Sequence, residues 1–203
     1  MSDYLFEHYF DEPMLSRQRL LWAIATRRQL ERWERYVARD MALAFSDGEI
    51  DGLESWAAES ERHLLLIAAR NMLGALDLPP VSTVEIDPTI RADIIAVRDL
   101  LEHWKENMPI FNAHPMPKVP SHGSGKGFAD RYKRGGPFDA ISWSNIDGAT
   151  VLPSLSAQGL HEIIDAVEGE AVGAHPELAA FIPPRAPSPW RREGGEWLPS
   201  VGV

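Results

Sequence analysis

Apolar residues recur at helical spacing in several segments of the chain. The first segment, residues 14–45, has an apolar residue at every third or fourth position on one side, interrupted only by the polar Thr26. The apolar members of this stripe are Trp22, Leu30, Trp33, Val37, Met41 and Ala44. The spacing predicts a long amphipathic helix that ends at the turn residues 46–48.

Two more helices are predicted in the middle of the chain. The second covers about 51–76 and contains the run 64–69, which is apolar nearly all round and is therefore expected to be central. The third covers 88–107, with Asp87 as its N-cap and Pro88 in its first turn. The apolar stripe of this third helix consists of Ile90, Ile94, Val97, Leu101, Trp104 and Met108.

The second half of the chain has a weaker pattern. Residues 109–137 are rich in proline and glycine and predict a long loop. Residues 138–152 alternate on either side of a turn sequence and predict a β-hairpin. A fourth helix should follow with Ser156 as its N-cap. Residues 181–203 are rich in Pro, Arg, Gly and Trp and predict an irregular tail.

Together these elements predict a mainly α fold. We expect a four-helix-type bundle with a small β-hairpin before the last helix and an irregular Pro/Trp-rich C-terminal tail. The chain has 203 residues, enough for one domain with its own core. We therefore predict a single helical domain over 1–180, followed by the tail at 181–203.

Composition narrows the classes of function. The chain has no cysteine, which excludes disulfides, thiolate nucleophiles and cysteine-ligated zinc. Two histidines in the loop, His114 and His122, have no acidic partner nearby in the sequence, so we predict no metal and no other cofactor. No apolar run is long enough to span a bilayer, and the acidic N-terminus is unlike a signal peptide. These features predict a cytoplasmic protein that does not bind membranes.

Charge also bears on nucleic-acid binding. The formal net charge is −10, whereas proteins dedicated to duplex binding are usually basic, so any such site must be local. One candidate is a row of arginines opposite the apolar stripe of the first helix, namely Arg28, Arg32, Arg35 and Arg39. A solvated outer face, with Glu31 paired to Arg35 at helical spacing, is the ordinary interpretation. A row of phosphate-binding side chains is the alternative.

Residues 98–103 of the third helix, Arg-Asp-Leu-Leu-Glu-His, combine groups that suit RNA cleavage. Arginine can bind a phosphate, and histidine can transfer a proton near neutral pH. A helical count predicts that this polar segment lies opposite the apolar stripe, with Arg98 and His103 about 140° apart. Two copies facing each other across a twofold axis would bring both groups into one cleft. The alternative is a solvated face on which Arg98 pairs with Glu102.

The chemistry expected of such a cleft is attack of an RNA 2′-hydroxyl on the adjacent phosphate. His103 would accept the hydroxyl proton, and Arg98 would stabilise the charge that develops on the phosphate. Asp99 would orient either group. DNA lacks the 2′-hydroxyl and should not be cleaved. The candidate substrate-binding residues are Glu102, Arg28, Arg32, Arg35 and Arg39.

An arginine followed by aspartate, three further residues and histidine, late in a helix of a helical bundle, resembles the motif of the HEPN superfamily. Arg98, Asp99 and His103 match that motif position by position, and the continuation 104–107 is similar to that of many members. The resemblance implies a homodimeric helical bundle with metal-independent endoribonuclease activity. It also implies a role in a toxin–antitoxin or antiviral defence system, with RNA as substrate and a protein partner such as an antitoxin.

Two other functions remain as hypotheses. The chain could be a non-catalytic helical protein-interaction module that uses the aromatic segment 1–10, Trp190 and Trp197 as docking anchors. It could also bind a small molecule, with the loop 109–137 as a lid.

Overall fold

The computed structural model describes residues 12–45, 52–102, 143–144, 148–152 and 154–200. Its α-helices within these residues are α1 (Glu12–Phe45), α2 (Gly52–Leu76), α3 (Pro88–Glu102) and α4 (Ala157–Ala174). Short strands before α4 are β1 (Trp143–Ser144), β2 (Gly148–Leu152) and β3 (Leu155–Ser156). A 3₁₀ helix (Pro176–Phe181) and the strands β4 (Trp190–Glu193) and β5 (Glu196–Pro199) follow α4. The predicted mainly α fold, with an antiparallel hairpin before the last α-helix, is confirmed.

α2 is the central helix of the first three. It packs against α1 on one side and against α3 on another. Two contacts show that α1 and α2 run antiparallel: Arg19 Nε donates to the carbonyl of Ala75 at 3.3 Å, and Arg32 Nη2 donates to Glu61 at 2.6 Å. The run 64–69 is accordingly buried on the sides that face its neighbours, but Leu64 is exposed because α2 is not enclosed on every side.

The main core lies between the helices and includes the middle of the α1 stripe. Its largest fully buried side chains are Trp33, Leu30, Leu65, Leu66, Met72, Leu73, Ile94, Leu160, Ile164, Val37 and Val97. Thr26 is also fully buried, although it is polar. Its hydroxyl donates to the carbonyl of Trp22, one turn earlier, at 2.7 Å, which satisfies the buried oxygen. The polar interruption of the stripe therefore costs the core little.

The strands before α4 form a small antiparallel sheet in the order β1-β2-β3. Ser154, between β2 and β3, donates to the fully buried carboxylate of Asp93 at 2.6 Å and so ties the sheet to α3. Ser156 is the N-cap of α4, as predicted, because its hydroxyl accepts from the backbone N–H of Gly159 at 3.0 Å. The predicted loop 109–137 and segment 1–10 lie outside the described residues.

The C-terminal tail is more ordered than the sequence analysis predicted. It has no regular structure at 183–188, but β4 and β5 form an antiparallel hairpin in which Trp190 pairs with Pro199. The turn uses Gly194 and Gly195 at φ values of 60° and 92°, a conformation that suits glycine. Trp190 is only 7% exposed and belongs to the main core. The prediction of an irregular tail is thus wrong for 190–199, because packing of one tryptophan on the bundle outweighs the weak local pattern.

Candidate functional site

Arg98 lies at the edge of the apolar side of α3, not opposite it. An ion pair between Arg91 and Asp77 places the start of α3 beside the end of α2. Arg98 follows Ile94 by four residues, so it is only about 40° further round the helix. Ile94 is buried, Arg98 is partly buried, and the Nε atom of Arg98 has no contact with solvent. Arg98 is therefore less exposed than the predicted polar face implied.

The remaining residues of the motif are Asp99, Glu102 and His103. Asp99 and Glu102 lie within α3, but their side chains are outside the described residues, as is His103. The structure therefore establishes that residues 98–102 are helical and that Arg98 is partly buried. The meeting of Arg98 and His103 across a twofold axis stays a prediction.

The predicted arginine row on α1 is exposed. Arg28, Arg32, Arg35 and Arg39 all present exposed side chains. Arg32 is held in place by its hydrogen bond to Glu61, whose side chain is mostly buried, while about half of the Arg32 side chain (49%) remains exposed. The row therefore presents four arginine side chains on one exposed surface of α1.

Glu31 does not pair with Arg35 as the helical spacing predicted. Its Oε1 accepts from the backbone N–H of Ala186 at 3.3 Å, and no ion pair joins it to Arg35 in the part of the chain that the structure describes. The prediction failed because the returning tail, far away in the sequence, supplies a donor for Glu31. This leaves Arg35 without the local carboxylate that was expected to neutralise it.

The arginine row and Arg98 lie on helices that are not neighbours. α1 and α3 both pack against α2, and their direct contact is marginal at most. α2 therefore separates the two candidate sites within one subunit.

A layer of buried charge between α1 and α4 was missed by the sequence analysis. Arg27 and Glu168 form an ion pair with side chains only 3% and 8% exposed, and Asp165 lies 3.9 Å from the Arg27 guanidinium. Burial lowers the pKa of Arg27, and the nearby Arg185 adds to this effect. Arg185 itself pairs with Asp165, at the end of the layer nearest the tail. Only the position of Arg27 beside the apolar stripe hinted that it would be buried.

A histidine and a glutamate meet in the same layer. His161 Nε2 of α4 and Glu34 Oε2 of α1 are 3.0 Å apart. A carboxylate beside an imidazole can hold or transfer a proton. Here the Nδ1 atom of His161 has no contact with solvent and Glu34 is buried, so the pair joins two helices and presents little surface to a substrate.

Glu170 anchors the loop between α2 and α3 to α4. Its carboxylate accepts from the hydroxyl of Ser82 at 2.6 Å, and from the backbone N–H and hydroxyl of Thr83 at 2.6 and 2.8 Å. Arg19 lies 3.8 Å away. Burial opposes ionisation of Glu170, but these donors and the Arg19 charge outweigh it and lower the pKa of the carboxyl. The role of this cluster is to hold the loop.

Two further properties of the described residues concern membranes and metal ions. None of their helices has the length and apolar content needed to cross a bilayer. No group of three or more His, Asp or Glu side chains in those ranges is arranged to hold a metal ion.

Comparison with protein-family models, with curated protein sequences and with solved structures found no match to this chain.

Proposed function

We propose that this chain is a metal-independent endoribonuclease of HEPN type that acts as a homodimer. The observation that carries the proposal is the Arg-Asp-Leu-Leu-Glu-His sequence at 98–103, with its arginine on a helix of a mainly α bundle. Arg98 is partly buried, so packing restricts its side chain while part of it stays accessible. A restricted guanidinium loses less entropy when it binds a phosphate than a fully solvated one would.

The proposed reaction breaks the RNA backbone at one phosphate. The 2′-oxygen forms a bond to phosphorus while the bond from phosphorus to the 5′-oxygen breaks, which yields a 2′,3′-cyclic phosphate and a 5′-hydroxyl. His103 accepts the proton of the 2′-hydroxyl, and a second histidine or water protonates the leaving oxygen. Arg98 stabilises the charge on the non-bridging oxygens, and Asp99 orients the arginine or the histidine.

Dimerisation is part of the proposal because of the helix geometry. Arg98 and His103 are separated by about 140° around a regular helix, so one subunit does not direct both at the same phosphate. A twofold axis between the facing α3 helices of two subunits would place Arg98 of one subunit beside His103 of the other. Glu102 and the α1 arginines are the proposed substrate-binding residues. In the cell, the enzyme would act as a toxin or defence protein restrained by a protein partner.

The alternative interaction module has weaker support. Trp190 was its candidate docking anchor, but this side chain packs into the core of its own chain. Truncation before the tail would therefore remove a core residue and would not isolate a docking function. The side chain of Trp197 and the segment 1–10 lie outside the described residues.

The test is cleavage of a labelled single-stranded RNA by the full-length protein in the presence of EDTA. We expect products with 2′,3′-cyclic phosphate ends, no cleavage of DNA of the same sequence, and a dimer by light scattering. His103→Ala should abolish cleavage, and Arg98→Ala should reduce it by about 100-fold or more, as expected when a donor to the transition state is removed. His175→Ala is the matched control, since His175 lies beyond α4 and pairs with Glu177 at 3.6 Å.

Two results would contradict the proposal. One is a folded wild-type dimer that leaves RNA intact under all conditions, including with its genetic partner. The other is equal cleavage by the wild type and His103→Ala, which would identify the activity as a contaminant or assign it to other residues.

A further inference from the structure

The exposed face of α1 is basic along most of its length, in a protein whose net charge is −10. A helical count places its outermost positions within an arc of about 60°. These positions are Met14, Arg17, Leu21, Arg28, Arg32, Arg35 and Arg39, and all seven are exposed. Among the described side chains of residues 28–39, every exposed one is an arginine, and no carboxylate shares that face.

The geometry of this row, Arg28 to Arg39, suits a repeating anion. Residues three or four apart on a helix have Cβ atoms about 5–6 Å apart, and the row extends for about 16 Å. Such spacing is similar to that of successive phosphates along an extended nucleic-acid strand. Arginine, which presents a planar fork of donors, is the residue best suited to phosphate oxygens, and α1 contains no lysine.

Other anionic partners fit the row less well. A helix that binds a membrane surface inserts an exposed apolar face, whereas the apolar side of α1 at Leu30, Trp33 and Val37 is buried in the core. A protein partner usually anchors on a buried aromatic or aliphatic residue in a pocket, and exposed side chains at 28–39 offer none. A polyanion bound through its backbone needs neither feature.

We infer that the arginine row of α1 binds the sugar–phosphate backbone of single-stranded RNA, at a surface separate from Arg98. The choice of RNA rests on the proposed function, because attack by a 2′-hydroxyl needs a strand free to adopt an in-line geometry. Contacts to phosphates carry no sequence information, so binding at the row is independent of sequence. Since α2 lies between α1 and α3, the row holds RNA outside the reaction cleft and favours long substrates over short ones.

The first experiment measures binding without cleavage. Fluorescence anisotropy of a labelled single-stranded RNA of about 20 nucleotides is recorded with His103→Ala protein over a range of salt concentrations. Adding Arg28→Gln and Arg35→Gln should weaken binding about tenfold and reduce the slope of log Kd against log salt by about 1.4, or 0.7 for each lost phosphate contact. These two arginines are chosen because neither makes a contact with the described residues that the substitution would break.

The matched control is Arg191→Gln with Arg192→Gln in β4. These arginines are also exposed, and the variant changes the net charge equally. It should bind RNA as tightly as the parent protein. Equal loss in the two double variants would overturn the inference, because it would show a response to net charge alone. Stronger binding to anionic phosphatidylserine vesicles or to duplex RNA than to the single strand would also overturn it.

A second experiment separates this inference from the proposed function. In an otherwise wild-type background, Arg28→Gln with Arg35→Gln should raise KM for the long RNA about tenfold and should raise KM for a dinucleotide much less, since a dinucleotide cannot span both surfaces. If both substrates are cleaved and the variant has no effect on either, RNA binding by the arginine row is refuted, whereas the proposed nuclease activity stands. If the protein binds RNA through the arginine row but never cleaves it, the proposed nuclease activity is refuted, whereas RNA binding by the row stands.

Discussion

Arg27 of α1 and Glu168 of α4 form an ion pair that is almost completely shielded from solvent. The two residues lie on helices that are separated by more than a hundred residues in the sequence. Removing two charges from water is costly, and their mutual attraction offsets that cost only while both partners are present. The pair therefore makes the packing of α4 on α1 sensitive to the loss of either side chain.

The first prediction concerns that ion pair. Arg27→Met should lower the free energy of unfolding by about 3–5 kcal/mol, because it leaves Glu168 buried without a cation. The double variant Arg27→Met with Glu168→Met should be considerably more stable than the single one. Urea unfolding followed by circular dichroism measures both. Arg28→Met is the control, since the adjacent arginine is exposed, and it should change stability by less than about 0.5 kcal/mol.

The second prediction concerns pH and Glu170. The pKa of this carboxyl is lowered in the folded protein from its ordinary value of 4.5, so the folded state binds fewer protons than the unfolded state around and below that pH. The stabilisation is present in full above about pH 4.5 and is lost as pH falls through the lower folded pKa. Glu170→Gln should therefore be less stable than the wild type by about 1 kcal/mol at pH 7, with a smaller difference near pH 3.

Thermal unfolding at both pH values measures this effect. Glu162→Gln provides the comparison, because Glu162 is an exposed glutamate on the same helix that accepts a hydrogen bond from Gln158, four residues earlier. A Glu170→Gln variant whose loss of stability is the same at pH 3 and pH 7 would contradict the assigned role of the ionised carboxylate.

The third prediction concerns the tail. Trp190→Ala should destabilise the protein by about 3–5 kcal/mol, because it leaves a cavity in the main core. Phe181→Ala, which removes an aromatic side chain that is 69% exposed, should change stability by less than about 0.5 kcal/mol. Unfolding in guanidinium chloride distinguishes the two. Similar small effects for both variants would mean that the tail does not pack on the bundle.

The fourth prediction uses two glycines in different backbone conformations. Gly169 lies within α4 with open space around its Cα, so Gly169→Ala should stabilise the protein by about 0.5–1 kcal/mol. Gly195 has a φ of 92°, which strains any residue with a Cβ, so Gly195→Ala should destabilise it by about 1 kcal/mol or more. Differential scanning calorimetry should show opposite shifts in Tm. Shifts of the same sign would contradict the backbone argument.

Local pattern was sufficient to predict much of the helical framework. The apolar spacing around Leu30, Trp33 and Val37 correctly predicted the buried side of α1. Ser156 was correctly predicted as an N-cap. Both predictions succeed because they depend on contacts within one turn of helix, or on a face that any globular fold must bury.

The candidate site was only partly predictable. The sequence identified the motif that contains Arg98 and the exposed arginines of α1, because residue type and spacing are visible in one dimension. It did not predict the partial burial of Arg98, because the apolar and polar sides of α3 meet at this position and the sequence does not show which neighbouring elements cover that border. It also paired Glu31 with the wrong partner, since the backbone N–H of Ala186 is 155 positions away.

The sequence by itself determined the helices, their apolar faces and the residues that could carry chemistry, because these follow from side-chain type and helical periodicity. Only the tertiary structure decided which ionisable side chains pack together, as in Arg27 with Glu168 and Glu34 with His161. It also decided that Trp190 belongs to the core and that α2 separates the arginine row from Arg98. These outcomes depend on long-range packing, in which desolvation and the choice of partner for each polar group are settled only once the helices come together.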